Sequence, residues 1–152
     1  MPRMSAGIAL YRRREQDIEI FLVHMGGPFW ARKDAGAWTF PKGEYDEGED
    51  PLAAARREFR EETGFDIDGK FLPLEAIKRS GKTISLWAVE GDCDADAVRS
   101  EVFSVEWPPK SGKQQAFPEI DRAAWFSPDE ARGKLVPAQS ALVDQLLRAI
   151  GS

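Results

Sequence analysis

The apolar positions of the chain first gather into two short β-branched runs. Gly7–Tyr11 and Ile18–Val23 are apolar, and the charged stretch Arg12–Asp17 divides them, which predicts a hairpin or a neighbouring strand pair. Gly26–Gly36 mixes Gly, Pro and charge without a period and predicts a loop, although it also holds Phe29 and Trp30. Trp38-Thr39-Phe40 predicts a short strand that stops at Pro41, and Lys42–Asp50 an acidic loop. The clearest element starts at Asp50-Pro51. Asp suits the N-cap and Pro the first helical position, Leu52, Ala55 and Phe59 form an apolar stripe, and Gly64 ends a helix that runs to about Thr63. Phe71–Ile77, Thr83–Val89, Val102–Trp107 and Arg122–Phe126 predict strands. Gly91–Ala97 reads as an acidic turn and Pro108–Gln115 as a polar loop. Ser127-Pro128-Asp129-Glu130 opens a short helix, and Pro137–Ile150 is a terminal amphipathic helix with Leu142, Leu146 and Ile150 on one face. There are no repeats and no linker long enough to split domains. The pattern predicts one α+β domain over residues 1–152, a mixed sheet flanked by three helices.

Composition narrows the class. With 42% hydrophobic residues, nine Phe and five Trp in 152 residues, the chain can fill a core, which excludes global disorder. No apolar run approaches the roughly 20 residues that cross a bilayer. The opening MPRMSAGIALYRRR lacks the layout of a secretory signal, so a cytoplasmic protein without a membrane partner is expected. One cysteine, Cys93, excludes an internal disulfide and a cysteine-based zinc site. A single histidine, His24, argues against a histidine-rich metal site and reads as structural. Asp92-Cys93-Asp94-Ala95-Asp96 resembles the start of a calcium-binding loop. Ala97 and Phe103 stand where its Gly and its bidentate Glu belong, so it reads as an acidic turn.

Charge is unevenly placed. Residues Gly43–Phe65 hold eight acids and three bases, and the remaining residues balance at 18 each, so one segment carries the whole net charge of −5. That balance argues against a nucleic-acid polymer as partner. On the helix after Asp50, with Leu52 set at zero, Glu61, Glu58 and Glu62 lie at about 180°, 240° and 280°. Glu58 and Glu62 are i,i+4 neighbours, and like charges at that spacing destabilise a helix by a few tenths of a kcal/mol. A positive partner is implied. A hard divalent cation shared with phosphate oxygens fits, and Arg57, i,i+4 to Glu61 and within reach of Glu49, offers a second compensation. On the three glutamates alone, a solvated acidic face accounts for the pattern equally well.

The surrounding residues add context. The stretch Gly43-x5-Glu49-x7-Arg57-Glu58-Phe59-x-Glu61-Glu62-x-Gly64-Phe65 resembles the Nudix box of the Nudix hydrolase family, with every charged and glycine position present. The departures are Phe59 and Phe65, where the family usually has aliphatic residues. They concern packing. Trp38–Gly43 looks like the strand and turn that lead into the box, and Glu119-Ile120 with Trp125-Phe126-Ser127 resembles the family's C-terminal part. The resemblance implies an α/β/α sandwich and hydrolysis of a pyrophosphate bond in a nucleoside diphosphate linked to another group. It implies Mg²⁺ or Mn²⁺, with more than one ion expected alongside substrate.

By position, Glu58, Glu61 and Glu62 look like metal ligands, Gly43 like a backbone-carbonyl ligand, and Glu49 and Arg57 like the pair that locks loop to helix. Glu58 is the first candidate for general base and Glu119 the second. Lys42 is the leading candidate for a phosphate contact outside the box, and Lys78, Arg79 and Lys82 are weaker ones. Among loop aromatics, Phe29, Trp30, Trp107 and Phe117 are candidates to stack on a base, with packing as the competing reading. The Pro41-Lys42-Gly43 turn ranks a dinucleoside polyphosphate or nucleoside triphosphate first. A diphosphoinositol phosphate is the alternative. The proline and tyrosine marks of the ADP-ribose and dinucleoside-polyphosphate branches are both missing. A non-catalytic nucleotide-binding regulator of the same fold is a further alternative, although such proteins typically lose box carboxylates and this chain keeps them all. A monomer or a homodimer is compatible with the sequence.

Overall fold

The structure, a computed structural model, describes residues 3–79 and 81–151. Met1 and Pro2, which belong to the opening segment considered above, and the side chain of Arg79 lie outside that description. Strands β1 (Arg3–Arg14) and β2 (Asp17–Met25) form the expected antiparallel hairpin, in register from Tyr11↔Ile20 to Arg14↔Asp17. Both outrun their apolar runs because the flanking residues find partners, residues 3–6 of β1 on β7 and residues 12–14 on β2. Two short strands follow, β3 (Trp38–Thr39) on β2 and β4 (Lys42–Glu44) on β1. Residues 42–44 were expected to be loop. Three residues around a glycine carry no period, and only the pairing Ser5↔Glu44, Ala6↔Gly43 and Gly7↔Lys42 makes them a strand.

Helix α1 spans Pro51–Thr63, as the capping residues predict. Asp50 Oδ2 accepts from the Ala53 amide at 2.9 Å, and the helix stops at Gly64 with φ 82°. Replacing Asp50 by Ala should lower stability by about 1 kcal/mol. The midpoint of a denaturant titration should move with an unchanged slope, and no movement would show the cap to be idle.

The strand expected over Phe71–Ile77 is two pieces, β5 (Leu72–Pro73) and β6 (Ile77–Arg79), each pairing with β7 (Lys82–Glu90). Strands β8 (Val102–Glu106) and β9 (Gln114–Pro118) form a separate two-stranded sheet. Gln114 and Gln115 were expected in a loop; they are strand because they face β8 on an arm too exposed to need apolar residues. Strand β10 (Ile120–Phe126) leads to α2 (Pro128–Lys134), whose Ser127 and Glu130 make a complete capping box. The expected helix from Pro137 is divided into a 3₁₀ turn at Pro137–Gln139 and α3 (Ala141–Ala149). Buried Gln139 sits in the turn, its side-chain oxygen accepting from the Phe40 amide and the Thr39 hydroxyl, both at 3.1 Å.

The main sheet runs β10-β2-β1-β7-β5, with β3, β4 and β6 attached to β2, β1 and β7. Its centre is the parallel pair β1·β7, in register from Arg3↔Lys82 to Tyr11↔Glu90. Central strands are buried on both faces, and side chains alternate between two cores. Ile8, Leu10, Phe21 and Val23 meet Ala54, Ala55 and Phe59 of α1. Ala9, Ile20, Leu22 and Leu86 meet Ala131 of α2 and Leu142, Val143 and Leu146 of α3. The fold is therefore an α/β/α sandwich. Among the described residues, no helix is long and apolar enough to cross a membrane.

Candidate active site

Helix α1 packs against β1 and β4, which brings residues 42–44 of β4 beside Glu58. Gly43 touches the Glu58 carboxylate so closely that a Cβ at residue 43 would overlap it. Any side chain there would push the carboxylate out of the site. Glu62 is 6% exposed, beside the apolar stripe rather than in water, with Lys42 close to its carboxylate.

Arg57 organises the outer part of the helix. Its Nε and Nη2 donate to both oxygens of Glu49, at 3.0 and 3.2 Å. Its Nη1 donates to Glu58 at 3.0 Å and Glu61 at 3.2 Å. One guanidinium thus fastens the 44–50 loop to the helix and aims two carboxylates. Its pKa is raised, first by the hydrogen bonding to Glu49. Arg57→Lys keeps the charge and loses the fork. It should lower kcat/KM by about 10–100-fold, the usual effect of disturbing groups that orient ligands. A steady-state assay checks this, and wild-type activity in the variant would show that the fork is dispensable.

Electrostatics mark the same place. Burial pushes the Glu62 carboxyl up to about 9, the charge of Glu58 adds to this, and Lys42 opposes it. Glu58 is also raised, by burial and then by Glu61, with Arg57 opposing. Glu119 is raised by burial, Glu101 and Glu61. Glu119 acts on Glu58 and Glu62 in turn, so this residue from the far side of the chain shares their neighbourhood.

A pocket of about 280 Å³ lies between them, lined by Lys42, Glu62, Glu119, Thr39, Met25 and Gln139 among others. A larger cleft of about 540 Å³ lies beyond Arg57, lined by Glu44, Asp46, Glu47 and Glu49 with Arg3. The smaller pocket holds the buried carboxylate, Glu119 and Lys42 together, so it is the better place for chemistry on an anion.

Among the described residues, no three acidic, histidine or cysteine side chains stand as a ready-made metal cage. Glu58 and Glu61 are turned onto Arg57 instead. The donor set is nevertheless all oxygen, partly dry and mutually repelling, which fits a hard divalent cation. A cation among them would relieve the repulsion that raises Glu58 and Glu62.

Other sequence candidates are placed elsewhere. Lys82 is exposed at the start of β7, paired with Arg3, and does not line this pocket. Lys78 lies beside it in β6, pairing with Thr83. Trp30 packs on the α2–α3 core with the Lys33 ammonium 5.2 Å from its ring centre. Phe117 pairs with Phe103 across β8 and β9, ring centres 6.4 Å apart, two residues before Glu119. Exposed Phe29 meets Trp107 edge-on at 5.6 Å. Sequence reasoning passed over Thr39 and Gln139 as pocket residues. Gln139 is a lone amide in what reads as a helix, and no signal along the chain connects it with β3.

A family model described as NUDIX domain matches residues 1–146. Over 81 residues, 49% of this chain, the sequence is 35% identical to mRNA decapping complex subunit 2 of Schizosaccharomyces pombe, a stretch that is 11% of that protein. Over 27 residues, 18% of this chain, it is 70% identical to the RNA pyrophosphohydrolase of Bartonella bacilliformis, 16% of that protein. The matches therefore span only a small part of the curated relatives' length. Among solved structures, the binary complex of the C. elegans Ap4A hydrolase superposes with a TM-score of 0.68 at 21% identity, covering 98% of each chain. At that identity the likeness speaks for the fold.

Proposed function

This chain belongs to the Nudix hydrolase family, and on that premise we propose that it hydrolyses a pyrophosphate bond in a nucleotide, with a dinucleoside polyphosphate or a nucleoside triphosphate as the first substrate class. The observation that carries the reading is the meeting of buried Glu62, Glu119 and Lys42 around one pocket, with Glu58 close enough to raise Glu62. The names of the Ap4A hydrolase and the RNA pyrophosphohydrolase are in keeping with that class.

Each residue has a task in this reading. Glu58, Glu61, Glu62 and the Gly43 carbonyl would hold Mg²⁺ or Mn²⁺. Bound there, the metal neutralises phosphate charge and acidifies water. Lys42 faces the pocket and binds a phosphate oxygen that the carboxylates would otherwise repel. Glu49 and Arg57 keep the loop and helix in register. Glu58 and Glu119 are the two groups able to take a proton from the attacking water. Glu119 is free of Arg57 and borders the pocket, which suits it to that task. Phe117, two residues before Glu119, would offer a face for a base, whereas Trp30 serves the core.

The test is a substrate panel with Mg²⁺ and Mn²⁺, products resolved by chromatography. It contains diadenosine polyphosphates, dNTPs, an oxidised dGTP, ADP-ribose and a diphosphoinositol phosphate. Reaction in ¹⁸O-labelled water identifies the phosphorus attacked. Metal-dependent turnover of a nucleoside polyphosphate is the expected result. Preference for ADP-ribose or the inositol phosphate would overturn the substrate class. Equal turnover by wild type and Glu62→Gln would overturn the enzyme reading.

A further inference from the structure

His24 is wholly buried, yet its ring makes two short polar contacts, Nδ1 to Asp121 Oδ1 at 2.7 Å and Nε2 to the Lys33 carbonyl at 2.6 Å. The Lys33 oxygen can only accept, so the Nε2 hydrogen faces it, and Nδ1 and Asp121 Oδ1 are joined through one hydrogen, because a buried polar group left facing a like partner is strongly disfavoured. The geometry therefore makes His24 a clamp between the loop at residues 26–36 and β10. Trp38 closes it edge-on at 5.2 Å, and Arg122 lies 3.8 Å from Asp121 on the outer side.

The clamp closes on an irregularity of the sheet. Strand β10 pairs Ile120 with Met25 and Arg122 with His24, so Asp121 is an extra residue between two successive pairs. Such a bulge changes the direction of the side chains around it and is commonly found beside active sites. Glu119 is the next residue but one. Its carbonyl accepts from the Gly26 amide at 2.8 Å, and its amide donates to the Glu101 carbonyl at 2.9 Å. Gly26 lies so close to this turn that a Cβ would overlap the Pro118 carbonyl. Residues 24 and 26 of β2 and its following loop thus hold both sides of Glu119.

We propose that His24 and Asp121 are positioning residues that fix the β10 bulge and so present the Glu119 carboxylate to the pocket containing Glu62 and Lys42. The inference rests on the hydrolase reading above, with Glu119 as proton acceptor. His24 and Asp121 touch neither the pocket nor the box carboxylates and act only through the turn. Their removal disturbs the placement of one catalytic group and leaves substrate binding to Lys42 and the box.

A double-mutant cycle tests this. Asp121→Asn, nearly isosteric and partly exposed, and His24→Gln are each measured alone and combined with Glu119→Gln, with melting temperatures to confirm folding. Each single variant should lower kcat by about tenfold or more, as a small misplacement of a reacting group does, with KM within twofold. In the Glu119→Gln background neither should lower kcat further. NMR of the ring should show a slowly exchanging proton on Nε2 of His24. Equal losses in the two backgrounds, unchanged kcat in Asp121→Asn, or a fast-exchanging Nε2 proton would overturn the proposal. Full activity of Glu119→Gln would overturn it while leaving the hydrolase reading in place. Absence of turnover in wild type would overturn both.

Discussion

Glu62→Gln should lower metal-dependent kcat by about 10³-fold or more, which corresponds to roughly 4 kcal/mol of lost transition-state stabilisation. The same substitution should make the metal-free protein more stable. Glu62 is 6% exposed, and its carboxyl is pushed from 4.5 up to about 9 by burial and then by Glu58. An acid whose pKa is raised by folding weakens the fold as pH rises. At low pH it is protonated in both states and costs nothing. Above the ordinary 4.5 the unfolded chain ionises freely while the folded one resists, and the penalty grows until about pH 9. Metal-free Glu62→Gln should therefore melt higher than metal-free wild type at pH 8, by on the order of 2–4 kcal/mol. The gap should narrow toward pH 5. Added Mg²⁺ should raise the melting temperature of wild type more than that of the variant. Identical melting of the two proteins at pH 8 without metal would mean that Glu62 is hydrated. The residue is a local cost to the fold, kept in place by the packing of α1.

Phe59→Ala should come close to unfolding the protein. Phe59 is 1% exposed, its ring centre 6.0 Å from that of Phe21, in the core that also holds Ile8, Leu10 and Ala55. Deleting a buried aromatic of this size costs about 3–5 kcal/mol, against a total of about 5–15 kcal/mol for a typical domain. Phe59→Leu, nearer in volume, should cost less than about 2 kcal/mol and keep most of the activity. Chemical denaturation followed by circular dichroism measures both. A loss under about 1 kcal/mol in Phe59→Ala would show that α1 is held by something other than this contact. The two substitutions separate the faces of one helix. Residues one turn apart would then serve stability on one side and the proposed chemistry on the other.

Residues 50–64 could be read closely because their information is local. A cap, a proline, a stripe and a terminating glycine each act within one turn of helix, and α1 begins and ends where they place it. Elsewhere the reading failed where pairing crosses the chain. Lys42–Glu44 became a strand through β1, and Gln114–Gln115 through β8. The helix expected from Pro137 broke because Gln139 turns inward to serve β3. His24 reads as a structural histidine, and it is one. Its partner Asp121 stands 97 positions away, and no periodicity announces a bulge.

The amino-acid sequence by itself carried the resemblance to the family, through the box at residues 43–65, and the acidic helix face, because motif and helical spacing lie within one continuous segment. Only the tertiary structure decided that Glu62 is buried while Glu61 is half-open, that Gly43 lies against Glu58, and that Glu119 joins them from the other end of the chain. Those facts depend on how β4 and the β9–β10 turn approach α1. That approach is governed by sheet register and close packing between distant segments.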